Sequence, residues 1–179
     1  MIARRRLCPD LEMLASDGIV IGTAEERDLD GVLALQEANQ PERGGTLSAR
    51  LSRAQLLAML ADLPLVVARR DGAIVGYLLA ASTATVAAVP LIRAMLAAYA
   101  SKSDAYVYGP IVVAEGERGR GLAQRLFESL RARLPGREGL LFIRADNSAS
   151  LRAHEKMGVV PRGTFRHNDR DFVVLSYVG

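Results

Sequence analysis

The feature that most constrains the fold is a glycine-containing turn between an apolar strand and an amphipathic helix. It runs from Arg118 to Ala123, after an apolar segment that ends at Val113 and before a helical pattern over 121–134. Glycines let a ligand approach the backbone without an intervening Cβ, and the first N–H groups of a helix are unpaired donors at its positive end. The two arginines offer charge-assisted hydrogen bonds. The turn therefore predicts an anion site, such as one for a pyrophosphate. The alternative is that it is only a glycine-rich turn with two arginines, which joins the strand to the helix and binds no ligand.

Two common phosphate-binding motifs are excluded by the order of residues in this turn. A Walker loop needs Gly-Lys-Ser/Thr after its spaced glycines, but Leu122 and Ala123 follow Gly121. The dinucleotide fingerprint is G-x-G-x-x-G, whereas Gly116, Gly119 and Gly121 give G-x-x-G-x-G, with no acidic strand end about 20 residues later. A nucleotide-binding regulator is therefore disfavoured.

The rest of the sequence predicts a mixed α/β chain with antiparallel strand pairs at both ends. The dipeptide Asp71-Gly72 is a strong hairpin signal, and the polar residues 167–171 predict the turn of a closing hairpin. Strands are predicted at 19–23, 65–70, 74–82, 105–113, 140–145, 160–165 and 172–178. Helices are predicted at 25–38, 52–60, 90–99, 121–134 and 148–157, with Ser52 as an N-cap.

Length and composition favour one globular domain. The 179 residues are 50% hydrophobic with a net charge of +3, and no basic run alternates with aromatics, so neither nucleic acid nor a membrane is an expected partner. The single cysteine, Cys8, excludes an internal disulfide, and no Cys/His cluster has metal-site spacing. We expect a cytoplasmic protein with one domain over 18–179, a helical insert at 83–104, and residues 1–17 as a tail or extra helix.

Two motifs together resemble the GNAT superfamily of acetyl-CoA-dependent N-acetyltransferases. Residues Arg118 to Ala123 match its R-x-x-G-x-G/A motif, and the run from Asn147 to Gly158 is similar to its second signature, N-x-x-S/A before a helix that ends in K-x-G-F. Val159 replaces the usual aromatic residue after the final glycine. The predicted elements also follow the family's order. The resemblance implies an α/β, GNAT-like fold, in which a mostly antiparallel sheet contains one splayed pair of parallel strands and is flanked by helices.

The resemblance also implies where acetyl-CoA binds. The cleft would lie between the strands that end at Val113 and Ala145. The backbone of the first strand would hydrogen-bond the pantetheine arm, the amides of the glycine turn would hold the pyrophosphate, and the start of the next helix would complete the site. The implied cofactor-binding residues are Ile111, Val112, Val113, Arg118, Gly119, Arg120, Gly121, Leu122, Ala123, Asn147 and Ser150. Asn147 is equally expected as a helix N-cap.

Three residues are candidates for catalysis by direct transfer. His154 stands where many GNAT members have a tyrosine that protonates the leaving thiolate; a buried histidine bonded to a backbone carbonyl is the structural alternative. Tyr106 and Tyr108 alternate onto one face of the predicted strand before the turn, so a hydroxyl there would contact substrate or a water relay, or both rings would simply pack.

The acceptor is the least constrained part of the prediction. The resemblance implies transfer to a primary amine, and we expect a small molecule, because variable segments such as the insert set substrate choice. A catalytically inactive acetyl-CoA sensor and a protein N-terminal acetyltransferase stay open as alternatives, and so does a homodimer.

Overall fold

Eight strands, six α-helices and three single-turn 3-10 helices form the part of the chain described by the structure, a computed structural model covering residues 13–14, 17–47 and 49–179. The strands are β1 (Met13–Leu14), β2 (Ile19–Thr23), β3 (Val66–Arg70), β4 (Ala73–Ser82), β5 (Tyr106–Val113), β6 (Glu138–Arg144), β7 (Val160–His167) and β8 (Arg170–Val178). The helices are α1 (Leu29–Ala38), α2 (Arg53–Asp62), α3 (Thr83–Val86), α4 (Pro90–Ala98), α5 (Leu122–Arg133) and α6 (Ser148–Lys156).

One mixed sheet contains all of these strands, in the order β1-β2-β3-β4-β5-β6-β8-β7. Every neighbouring pair is antiparallel except β5 and β6, which are parallel and pair only at Tyr106 with Gly139 and at Val107 with Leu140. Beyond these residues the two strands separate. The predicted fold class, a mostly antiparallel α/β sheet with one splayed parallel pair, is confirmed.

Both predicted hairpins form, but the second has a shorter turn than the sequence indicated. Asp71 and Gly72 join β3 to β4 with φ values of +50° and +80°, as a tight two-residue turn requires. In the closing hairpin Asn168 and Asp169 alone form the turn, with φ of +47° and +58°. The five-residue turn predicted at 167–171 is therefore wrong in length, because Asn and Asp tolerate the left-handed conformation that two-residue turns need.

Each face of the sheet is covered by helices, and three apolar clusters result. Helices α5 and α6 cover one face, where Tyr106, Tyr108 and Tyr177 join the core. Helices α1 and α2 cover the other face beside β3 and β4, and α4 covers β5, β6 and β8 next to them. The cleft between β5 and β6 therefore opens between two helical layers.

The predicted insert forms two helices instead of one, and a carboxylate fixes each of its ends. Asp62 accepts a hydrogen bond from the backbone N–H of Ser82, which precedes α3 (2.7 Å). Glu138 accepts from the Tyr99 hydroxyl (3.0 Å) and from the N–H of Lys102 (2.8 Å), just after α4. The second helix, α4, starts at Pro90, a residue that favours the first position of a helix.

Most of the predicted tail, including Cys8, lies outside the described residues. Within it, Met13–Leu14 pairs with β2, and Asp17 accepts hydrogen bonds from Arg125 (2.8 Å) and from the N–H of Ile19 (3.2 Å). In the described part of the chain, no helix has the length and apolar character needed to cross a membrane.

Candidate active site

An extra residue in β5 marks the start of the cleft. Ala80 pairs with Tyr108 and Leu78 with Ile111, so two steps along β4 correspond to three along β5. Such a bulge bends a strand and ends regular pairing. From this point the β5 edge that faces β6 has no strand partner among the described residues, whereas β6 stays paired with β8 through Arg144. Backbone groups on that edge are therefore open to a ligand, apart from the carbonyl of Val113, which accepts from Arg118.

The three predicted backbone ligands of β5 follow this bulge. Ile111 and Val113 are half-buried and pack against the core on the α5 side, and Val112 is buried in the core on the α1 side. Side chains therefore fix the strand from both faces, while its free edge lines the cleft.

The glycine turn has the conformation and the free donors that the sequence predicted. Gly119 and Gly121 both have φ of +75°, and a Cβ at either position would meet no atom within 4 Å. The N–H of Arg118 donates to a backbone carbonyl, and so does the N–H of Arg125, which bonds Gly121 (3.1 Å). The N–H groups between these two residues make no backbone hydrogen bond in the described chain. The intervening N–H groups lie at the N-terminus of α5, where the helix dipole favours an anion.

An ion pair between a half-buried arginine and a buried glutamate anchors the turn to the sheet. Glu117 is 9% exposed, and its two carboxylate oxygens accept from Arg70 Nε (2.8 Å) and Nη2 (3.0 Å). The hydrogen bonds from Arg70 hold the pKa of the Glu117 carboxyl below its usual value. Sequence reasoning did not single out Glu117, because its partner is 47 residues away on β3.

The two arginines of the turn have different environments. The Arg118 guanidinium donates to the carbonyl of Val113 (3.2 Å) and to Oδ1 of Asn39 (2.6 Å). The Arg120 side chain is 65% exposed and lies 3.7 Å from Glu117. Of the two predicted phosphate-binding guanidinium groups, therefore, that of Arg118 is held by two hydrogen bonds within the protein, whereas that of Arg120 has only the long contact with Glu117 among the described residues.

The second motif forms the start of α6, as expected. Asn147 is the N-cap, and its Oδ1 accepts from the N–H of Ser150 (3.1 Å). The Ser150 hydroxyl lies 3.4 Å from Nδ1 of His154. Because the Asn147 oxygen is used by the cap, its amide nitrogen is the group left for other contacts.

His154 is held as a neutral imidazole with a defined tautomer. Its Nδ1 lies 2.8 Å from the carbonyl oxygen of Ser150, which can only accept, so Nδ1 carries the proton. Burial lowers the pKa of the ring, because desolvation disfavours the charged form. The other nitrogen, Nε2, therefore has a free lone pair. It is buried and has no hydrogen-bond partner among the described residues.

Tyr108 lies against this histidine, and Tyr106 does not. The Tyr108 and His154 rings meet edge to face with centroids 5.7 Å apart, and the Tyr108 hydroxyl is also buried without a described partner. The Tyr106 hydroxyl bonds that of Tyr177 (2.6 Å), a residue that sequence reasoning missed. Burial raises the pKa of both Tyr106 and Tyr108, so both hydroxyls are protonated. The two tyrosines share one face, as predicted.

The cleft, the glycine turn and the capped α6 helix together define an acetyltransferase of the GNAT class. The family model described as Acetyltransferase (GNAT) family matches residues 29–159, well over half of the chain, and the chain belongs to this family. No curated protein matches the chain in sequence.

Solved structures with the same fold include acetyltransferases of different kinds. A GNAT family acetyltransferase from Streptococcus agalactiae has a TM-score of 0.69 at 17% identity, with 93% of this chain and 99% of that one covered. A phosphinothricin acetyltransferase from Sinorhizobium meliloti, solved with AcCoA, gives 0.65 at 17% identity over 90% and 88%. A ribosomal-protein-alanine N-acetyltransferase from Brucella melitensis gives 0.61 at 20% identity over 89% and 99%.

Proposed function

We propose that the chain transfers an acetyl group from acetyl-CoA to the primary amine of a small molecule. The observation that carries the proposal is that backbone groups lack a described backbone partner at two places on the cleft, along the edge of β5 and around the glycine turn at the start of α5. Such groups suit the amides of a pantetheine arm and the oxygens of a pyrophosphate, respectively.

The cofactor-binding residues in this proposal are those that the resemblance implied, except Arg118, whose N–H bonds the carbonyl of Glu115 and whose side chain bonds Asn39. The β5 backbone at Ile111, Val112 and Val113 would bind the pantetheine arm. The amides from Gly119 to Ala123 would bind the pyrophosphate, with Arg120 adding charge. Asn147 and Ser150 face the same cleft from the start of α6 in this proposal. Acetyl-CoA supplies an activated acyl group as a thioester.

Transfer requires two proton movements that the chain must support. The amine nitrogen forms a bond to the carbonyl carbon, the carbon–sulfur bond breaks, one proton leaves the nitrogen, and one goes to the departing sulfur. Neutral His154 has its proton on Nδ1, so its Nε2 is suited to accept a proton, whereas the Tyr108 hydroxyl is a donor. We propose this pair for the proton movements, with Tyr106 as support through Tyr177.

The anchored insert supports a small acceptor over a protein chain. Helix α4 lies on the face of β5 and β6 opposite α5, where its residues Ile92 and Met95 are buried. Its end is fixed by Glu138. A covered face leaves less room for an extended peptide beside the cleft, although the family fold serves both kinds of acceptor.

Calorimetric titration with acetyl-CoA, desulfo-CoA and ATP tests the cofactor assignment. We expect micromolar binding of acetyl-CoA by the wild type and its loss in Gly121→Glu, which places a negative charge among the free N–H groups. Gly136→Glu is the matched control, because Gly136 has nearly the same φ (+74°) and open surroundings at the other end of α5. A folded wild type that does not bind acetyl-CoA would refute the proposal.

An inactive acetyl-CoA-binding module is the second candidate, and the burial of His154 Nε2 favours it. This candidate predicts tight acetyl-CoA binding without transfer to any member of a panel of amines and peptides. Thiol release on the amine half of the panel supports the enzyme, and release on peptides alone supports a protein N-terminal acetyltransferase.

A further inference from the structure

Arg118 belongs to the glycine turn in sequence, but its side chain contacts another part of the molecule. Its Nη2 donates to Asn39 Oδ1 at 2.6 Å, and its Nε donates to the carbonyl of Val113 at 3.2 Å. A hydrogen bond with a charged donor is stronger than a neutral one. The guanidinium therefore joins the end of β5 to the residue that follows α1.

Asn39 is buried, and each of its polar groups has a hydrogen-bond partner. It is 8% exposed, its Nδ2 donates to the carbonyl of Leu35 (2.8 Å), and its N–H donates to that of Gln36 (3.1 Å). Its own carbonyl accepts from the N–H of Leu47 (3.1 Å). Loss of Arg118 would leave the buried Oδ1 unpaired, which is costly in a protein interior.

The rest of the segment 39–47 packs tightly against Asn39. A Cβ on Gly45 would lie 1.9 Å from the carbonyl oxygen of Asn39, so the two backbones are in direct contact. The N–H of Gly45 donates to the carbonyl of Gln40 (3.0 Å), whose side chain is itself buried. A displacement of Asn39 must therefore move the segment 39–47 with it.

We propose that Arg118 is a positioning residue that couples the glycine turn to the segment 39–47. The bond from Arg118 to Asn39 fixes the distance between the turn and this segment, which follows α1 on the face opposite α5. Occupancy of the turn is thereby transmitted to that face, where we expect the acceptor. The link itself is independent of the proposed function, but its use in acetyl transfer rests on it.

Hydrogen exchange followed by mass spectrometry, without any ligand, tests the link. We expect Arg118→Met to raise exchange at the N–H groups of Gly45 and Leu47 about tenfold, because the buried amide loses a charged partner. Arg120→Met, two residues along the same turn, is the control and should leave both amides unchanged.

The result that overturns the proposal is wild-type exchange at Gly45 and Leu47 in Arg118→Met. Amides of β4 serve as the internal reference, since a rise there reports global destabilisation instead of local release. If β4 exchange also rises, Arg118→Lys, which keeps the charge, separates global destabilisation from loss of the local bond. Partial protection of Gly45 and Leu47 in Arg118→Lys supports the link, and absence of any protection there refutes the link.

A second measurement adds saturating acetyl-CoA and separates this proposal from the proposed function. We expect slower exchange over 40–47 in the wild type and in Arg120→Met, but not in Arg118→Met. If the wild type does not bind acetyl-CoA, the proposed function fails while the ligand-free comparison still decides the link. If acetyl-CoA protects 40–47 equally in Arg118→Met, the coupling fails while the function stands.

Discussion

Two adjacent rings of the core, those of His154 and Tyr108, each have a buried polar atom without a described hydrogen-bond partner. A buried donor or acceptor without a partner costs about 1–3 kcal/mol, so proteins retain such groups where another use offsets the cost. Here one ring offers a lone pair at Nε2 and the other a hydroxyl proton. This pairing supports their proposed part in proton movement.

Burial of His154 makes the free energy of unfolding depend on pH. Its pKa is lowered in the folded state, so the unfolded chain binds the proton first as pH falls below about 6.5. Stability should therefore be full above that pH and decline below it, by at most about 1.4 kcal/mol per pH unit for one proton. His154→Phe, which cannot titrate, should flatten this dependence in urea titrations between about pH 5 and pH 7.5.

His167, the other histidine, provides the control for this prediction. It lies half-buried at the end of β7, in the closing hairpin. His167→Phe should retain the slope that His154 produces. An unchanged slope in His154→Phe would contradict the assignment of a buried neutral imidazole.

At the scale of elements, the closed base of the cleft depends on a close contact between β6 and β8. Gly139 on β6 pairs with Tyr106 on one side and with Tyr177 on the other. A Cβ at this glycine would lie 2.3 Å from Cζ of the Tyr177 ring. The ring is buried and its hydroxyl bonds Tyr106, so it has little room to move. The parallel pair therefore requires a glycine here.

We expect Gly139→Ala to destabilise the fold by about 1–3 kcal/mol, the usual cost of overpacking a core. The free energy of unfolding in urea measures this loss. Gly163→Ala on the edge strand β7 is the matched control, because its added Cβ would make only an ordinary 3.6 Å contact with the Ala98 carbonyl. Equal stability of the two variants would show that Tyr177 moves aside freely.

At the scale of the whole molecule, distant segments converge around the cleft. Arg70 on β3 holds the turn before α5, Asn39 after α1 holds Arg118, and Glu138 on β6 holds the end of the insert. Each contact joins residues more than 30 positions apart in the chain. The surroundings of the site are therefore set by the folded sheet and not by any one local motif.

The anchoring of the insert can be tested with Glu138→Ala. This change leaves the Tyr99 hydroxyl and the Lys102 N–H without their acceptor, so the end of α4 should open more often. Trypsin cleavage after Arg93, which is exposed on α4, should become about tenfold faster under native conditions. Tyr99→Phe, which removes one of the two bonds, should give an intermediate rate, and a wild-type rate in Glu138→Ala would refute the anchor.

The sequence by itself predicted most of the elements, their order and the glycine turn, but neither strand β1 nor helix α3. Local patterns sufficed because a hairpin turn, an N-cap such as Ser52 and an amphipathic helix are each specified by residues near in the chain. The two motifs also predicted the family. The length of the closing turn and the split of the insert were missed, because several turn lengths fit the same polar residues.

Only the tertiary structure decided how the site residues are used. The sequence indicated two phosphate-binding arginines, but the position of Asn39 beside the turn directs Arg118 elsewhere. The sequence indicated that His154 is a general acid. In the structure, burial keeps its ring neutral, and the Ser150 carbonyl holds the proton on Nδ1, so the free lone pair is at Nε2. Protonation states and partner choice depend on what surrounds a side chain in three dimensions, and those neighbours come from remote parts of the chain.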